Sequence, residues 1–297
     1  MVKIACVGIA VQDKIYYVDS IPHTAGKFVA SDYKEIGGGP AATAAVAIAK
    51  LGGQVDFIGR VGDDATGQVI LSELENYHVN TKLTKIYKNA RSSQSAILVD
   101  KTGERLIVNY PSPDLSNETT WLDTIDFSQY DVILADVRWH QGTEYCFNKA
   151  KQLGIVTILD ADTTPQDINS LVKLSTYSVF SEPGLIKTTS ETHIEQALSN
   201  IDAITEGQMF VTLGSNGCKW IANEKLHHHH GINVDVIDTT GAGDVFHGAF
   251  AFAIATGYLT EKAIEFANVV AALKCTKSGG RAGIPTLAQV NSFMKNQ

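Results

Sequence analysis

Short apolar runs along the chain alternate with longer segments whose apolar residues recur at helical spacing. Residues 3–11 are apolar and β-branched and predict a buried strand. Residues 16–36 alternate irregularly around Pro22, Gly26 and several aromatic residues, a pattern of short exposed strands rather than helix. Gly37-Gly38-Gly39-Pro40 then opens an alanine-rich helix to about residue 51, and Pro40 suits its first turn. A strand over 55–59 and a helix over 66–77 come next. Residues 92–99 and 104–110 predict a hairpin around Asp100-Lys101-Thr102-Gly103. Together with 12–36 it would form a small sheet apart from the main layer.

From residue 132 the rhythm is regular. Strand 132–135, a helix near 144–153, strand 156–159, a helix after Pro165, strand 178–180, a helix near 194–204 and strand 209–213 follow in turn. Such alternation predicts a parallel sheet with helices on both faces. No repeat, low-complexity stretch or linker divides the 297 residues, so one large α/β domain is expected.

Composition narrows the partners. The net charge of −8, from 24 basic and 32 acidic residues, argues against nucleic acid and requires any anionic substrate to find a local basic cluster. No apolar run is long enough to cross a bilayer, and the chain enters a strand at once without a visible signal peptide. Cys6, Cys146, Cys218 and Cys275 form no CxxC pair and read as buried hydrophobes in a reducing compartment, which predicts a cytoplasmic protein. The run His227-His228-His229-His230 predicts a solvated hairpin, because consecutive residues point in different directions and do not converge on a metal.

The chemistry concentrates in Asp238-Thr239-Thr240-Gly241-Ala242-Gly243-Asp244. Three small residues precede Asp244, which opens an apolar run to residue 258. That is a helix N-terminus with uncovered N–H groups, suited to a phosphate. Asp244 there has two readings. It caps the helix, or it takes a proton from a hydroxyl while the amides hold the phosphoryl group under attack. Other phosphate and catalytic motifs are missing: no P-loop, no GxGxxG after the first strand, no HExxH and no GxSxG.

Residues 238–249 resemble the C-terminal signature of the ribokinase-like (PfkB) carbohydrate kinases, and residues 37–62 resemble that family's glycine-rich N-terminal signature. The resemblance implies a Rossmann-type three-layer α/β/α core with a small β-sheet lid from about 12–36 and 92–110, and a homodimer through that lid. It implies a small-molecule sugar between lid and core, with ATP and Mg2+ as cofactors. By the family's pattern Asp244 is the base, and the amides of Gly241, Ala242 and Gly243 hold the developing charge. Asp13 grips sugar hydroxyls beside Gly38 and Gly39. Gly214, Ser215 and Gly217 form the turn near the nucleotide, and Asn268 meets adenine.

Two departures stand out. Thr43 replaces the family's usual asparagine, and its N-x-x-E element reads Ser181-Glu182-Pro183-Gly184. Either Glu182 serves as a metal ligand or Mg2+ is held through water and ATP oxygens. Arg281-Ala282-Gly283 and the 238–240 segment resemble loops that hold a monovalent cation in some members.

On the residues alone, Lys27 and Arg138, from separate segments, either converge on an anionic tail far from the reacting hydroxyl, or Lys27 is solvated and Arg138 pairs with Asp136; Asn109 ends the lid hairpin. Residues 37–43, 92–95, 109–115, 135–140 and 180–185 are similar to the 6-deoxy-6-sulfofructose kinase branch of the family. That similarity implies phosphorylation of 6-deoxy-6-sulfofructose at O1, with Lys27, Asn109 and Arg138 around the sulfonate. A sulfonate carries one negative charge, whereas a phosphate monoester carries about −1.5 to −2. Arg91 is a further cation that would favour fructose 6-phosphate. The alternatives are therefore a phosphofructokinase, a 2-keto-3-deoxygluconate kinase, or a non-catalytic sugar-binding regulator.

Overall fold

Residues 1–296 are described in the computed structural model. Strand β1 (Lys3–Gly8) is followed by β2 (Val11–Tyr17) and β3 (Asp32–Gly38), then helix α1 (Pro40–Lys50), β4 (Gln54–Gly62) and α2 (Ala65–Asn76). Strand β5 (Lys85–Tyr87) precedes the hairpin β6 (Gln94–Val99) and β7 (Arg105–Tyr110). The regular half runs β8 (Val132–Asp136), α3 (His140–Leu153), β9 (Val156–Ala161), α4 (Asn169–Leu174), β10 (Tyr177–Ser181), α5 (Glu182–Thr189) and α6 (Ile194–Asp202). It closes with β11 (Gln208–Thr212), β12 (Cys218–Ala222), β13 (Lys225–His229), α7 (Ala242–Ala255), α8 (Thr260–Cys275) and α9 (Leu287–Lys295).

Among the described residues the main sheet has nine strands in the order β13-β12-β11-β10-β9-β8-β1-β4-β5. It is parallel from β11 to β5 and antiparallel at β12 and β13. Both faces are buried, so successive side chains of a strand feed different cores. In β1, Ile4 and Cys6 belong to the core on the side of α1 and α7, while Ala5 and Val7 belong to the core on the side of α3. A second sheet holds the order β3-β2-β6-β7. All four cysteines are free and buried, and no described helix is long and apolar enough to cross a membrane.

The single strand expected over 3–11 is split. A Cβ on Gly8 would lie 2.1 Å from Asp136 Oδ2, so only glycine lets the chain pass that carboxylate. The carboxylate then gathers the loops at the carboxyl edge of the sheet. Its Oδ2 accepts from the backbone N–H of Ile9 (2.9 Å) and Ala41 (3.2 Å), and its Oδ1 from that of Arg138 (2.8 Å). Asp136 thus ties β1, α1 and β8 together at the point where β2 leaves for the small sheet. Replacing it by alanine leaves three donors without their acceptor. We expect Asp136→Ala to cost on the order of 3 kcal/mol in urea unfolding; a loss under about 0.5 kcal/mol contradicts this role.

Candidate active site

Helix α7 starts without a side-chain cap. Its N-cap is Gly241, held at φ 73°, a left-handed conformation that glycine adopts without strain. Asp244 lies in the first turn and does not cap the helix, which sets aside one of its two readings. The Ala242 amide already donates to Thr239 O at 3.1 Å. The amides of Gly241 and Gly243 have no partner among the described residues, and a Cβ on Gly243 would meet nothing within 4 Å. Two free N–H groups beside open space at a helix N-terminus form a cradle that fits a phosphoryl group.

Behind that cradle lies a crowd of acids. Asp136 and Asp160 are register partners at the carboxyl ends of β8 and β9, and both are buried. Their strands place them on the face that carries Leu134 and Ile158, the side packed by α7. Burial pushes the Asp244 carboxyl up to about 7, with Asp160 and Asp136 adding repulsion against His247 and Arg281. Asp160 is itself pushed well above the carboxylate range by burial, then by Asp162 and Asp136. His247, one turn along α7, is buried with Nδ1 2.7 Å from Gly243 O and Nε2 3.2 Å from Val179 O. Burial lowers its pKa.

A cavity of about 1050 Å³ opens between the two sheets, and Asp244, Gly241, Asp13, Gly38, Gly39, Asn109 and Arg138 all line it. Asp13, Ser95 and Asn109 form one cross-strand row on β2, β6 and β7. Ser95 Oγ donates to Asn109 Oδ1 at 3.0 Å. A Cβ on Gly38 would lie 2.2 Å from Asp13 Oδ2, which explains a glycine beside that acid. Burial raises the Asp13 pKa.

Arg138 is paired with Asp162 at 2.6 Å, whereas Asp136 takes only its backbone N–H. Its Nε is buried and free of any partner among the described residues. Lys27 is exposed in the segment between β2 and β3 and does not line the cavity. Arg91 also lies outside it, locked to Asp114 at 2.8 Å.

Sequence reasoning did not place four cations that line the cavity, Lys34, Arg60, Arg105 and Arg281, of which Arg60 and Arg281 are buried. Arg60, on β4, donates to Ser116 O and Asn117 Oδ1 and stacks 4.5 Å over Trp139. Arg281, expected only as part of a cation loop, is buried. It donates to Gly38 O (2.7 Å) and Thr43 Oγ1 (3.2 Å) and faces Glu73 at 3.3 Å. Thr43, in place of the family's asparagine, thus offers its hydroxyl to Arg281. Arginine in a strand or a glycine-rich turn carries no pattern that would have marked either residue.

The remaining expected residues gather elsewhere. Gly214 and Ser215 lie in the turn between β11 and β12, and Gly217 follows it, packed against the β13 backbone. Asn268, on α8, sits 2.9 Å from His229 Nδ1. The histidine run does form a hairpin strand, yet it is only partly solvated, since His227 also stacks on Trp220. Glu182 is exposed at the start of α5 and makes no side-chain ion pair or hydrogen bond among the described residues. No described group of three or more His, Cys, Asp or Glu residues could hold a metal ion.

The profile of the pfkB family carbohydrate kinases matches residues 1–287, and the chain belongs to that family. It is 27% identical to a ribokinase of Bacillus subtilis, over 99% of this chain and all of that one. It is 29% identical to a fructokinase of Vibrio alginolyticus, over 86% of this chain and 91% of that one. A crystal structure from Agrobacterium tumefaciens, described as a candidate ribokinase, matches with a TM-score of 0.91 at 34% identity, covering 99% of this chain and 97% of its own. The fold is the ribokinase-like α/β fold, and the chain is an ATP-dependent sugar kinase.

The raised Asp244 pKa has a measurable consequence for stability. Its unfolded value is the ordinary 3.8 and its folded value is about 7. Ionisation therefore favours unfolding, and the stability present below the unfolded value is lost as pH rises through about 7. Asp244→Asn cannot ionise. We expect its melting temperature to exceed that of the native chain by a margin that grows from pH 5 to pH 8. Identical melting curves at pH 8 would sink the buried-charge account.

Proposed function

We propose that this kinase transfers the γ-phosphoryl group of ATP to O1 of an anionic ketose, with 6-deoxy-6-sulfofructose as the substrate that best suits the site. The observation that carries this reading is one cavity lined at once by Asp244, Asp13, Asn109 and Arg138. Asp244 removes the proton from the attacking hydroxyl, and the Gly241 and Gly243 amides hold the charge that develops on the phosphoryl group. The turn at 214–217 and Asn268 serve the nucleotide end. ATP brings Mg2+ with its phosphates, and the ion balances their charge when bound.

The wall beside Asn109 carries two guanidiniums, Arg138, which already shares its charge with Asp162, and Arg60, which is bonded to carbonyl and amide oxygens and to no carboxylate. That pair supports an anionic tail, and a sulfonate, with one negative charge, asks less of it than a phosphate ester of nearly two. The fructose 6-phosphate alternative drew on Arg91, which is committed to Asp114 instead. Lys27 joins the tail when the small sheet and its 23–29 segment close over the sugar and exclude water.

We also assign that sheet to a homodimer contact. All of β7 is exposed, including Leu106 at 37% and Val108 at 59% on the strand face opposite Asn109, and a solution mass of two chains is the readout.

The test is ADP release with Mg·ATP and, in parallel, sulfofructose, fructose 6-phosphate, fructose and ribose. We expect sulfofructose to have the highest kcat/KM. Arg138→Ala should lower that value about a hundredfold while leaving fructose within about threefold. Preference for fructose 6-phosphate, or equal losses on sulfofructose and fructose, would overturn the sulfonate reading. Silence on all four sugars would likewise overturn it and leave the acceptor to be sought among other sugars.

A further inference from the structure

Lys274, on the last turn of α8, is the only buried lysine among the described residues, with 0% exposure. Its Nζ donates to Asp238 O at 2.7 Å and lies 3.6 Å from Asp238 Oδ2. The same α8 end grips this segment again, because Cys275 O accepts from the backbone N–H of Ile237 (2.8 Å) and Asp238 (3.1 Å). Asp238 Oδ1 in turn accepts from Thr240 N at 2.9 Å, and Oδ2 faces the amides of Gly279 and Gly280. One residue beyond Thr240 stands Gly241, the start of the phosphoryl cradle.

A second ammonium sits on the adjoining loop. Lys50 Nζ, at the end of α1, donates to three carbonyls, Arg281 O (3.0 Å), Ala282 O (3.1 Å) and Ile284 O (2.9 Å). Carbonyl oxygens converging on one positive charge are the donor set of a large, weakly hydrated monovalent ion. Here both segments expected to hold such an ion already hold a charge of that sign and size. A further cation at the same oxygens would face an ammonium a few ångströms away, in surroundings that screen poorly. The residues present therefore do not fit an added monovalent ion.

We propose that Lys274, with Lys50 on the adjoining 281–284 loop, is a tethered replacement for a monovalent cation, so that phosphoryl transfer runs without potassium. Lys274 is a positioning residue. It touches neither sugar nor ATP, and it fixes the 238–240 turn that aims the Gly241 and Gly243 amides. The inference rests on the sugar-kinase reading of the Asp244 cavity.

The experiment compares potassium chloride with tetramethylammonium chloride at equal ionic strength, reading ADP release on whichever sugar is turned over and, separately, the melting temperature. The native chain should show the same rate, within about 1.5-fold, and the same melting temperature in both salts. Lys274→Ala opens a cation-sized space. In tetramethylammonium its kcat should fall at least about tenfold with sugar KM little changed. Potassium or ammonium should restore the rate and raise the melting temperature. Lys274→Met fills the space without charge, and its low rate should stay low in potassium.

Severalfold stimulation of the native chain by potassium overturns the proposal and needs no variant. So does a Lys274→Ala enzyme that keeps its rate, or one whose rate and melting temperature both ignore potassium. If none of the sugars tried is turned over, the proposed substrate reading fails, while the melting temperatures still decide the cation question.

Discussion

Carboxylates repel one another most where water cannot reach them, and this fold collects several at the carboxyl edge of one parallel sheet. Asp136 and Asp160 end adjacent strands in register, and Asp244 enters from α7 above them. Asp136 spends its charge on three backbone amides and so organises the loops. Burial raises the pKa of all three acids, and Asp160 and Asp244 lack such a set of backbone donors to offset it. A carboxyl held near neutrality costs folded stability and is at the same time a usable base. The glycines around it follow from the same crowding, since Gly8 and Gly38 leave room for Asp136 and Asp13.

Fixed cations balance this edge. Arg281 reaches Gly38, Thr43 and Glu73, and its charge lowers the pKa of both Asp13 and Asp244. Lys274 and Lys50 neutralise the turns on either side of the cradle. Arg60 and Arg138 line another part of the same wall. The cavity is thus acidic beside the α7 N-terminus and cationic along the wall that Arg60 and Arg138 share.

Much of the layer order was legible because parallel strands and their helices carry strong periodicity. The regular half from β8 to β11, α1 behind its glycines, and the β6–β7 hairpin all lie within a few residues of expectation. Helix α5, with Pro183 in its first turn, was read as a motif rather than an element, and α8 was not marked at all. The break after Gly8 was invisible, because the cause is the carboxylate of Asp136, distant in sequence. Site residues followed the same rule. Asp244, Asp13 and Asn109 sat in readable motifs. Arg60, Arg281 and Lys274 owe their places to tertiary packing, and Lys27 falls on an exposed segment that the cavity does not include.

The central claim is that Asp244 carries the proton transfer. Its most direct test is single-turnover phosphoryl transfer by Asp244→Asn with sugar and Mg·ATP saturating, alongside calorimetric sugar binding. The account predicts a rate lowered by about 10²–10⁴-fold with sugar affinity within about threefold of the native chain. A near-native transfer rate would contradict it and move the base to another residue.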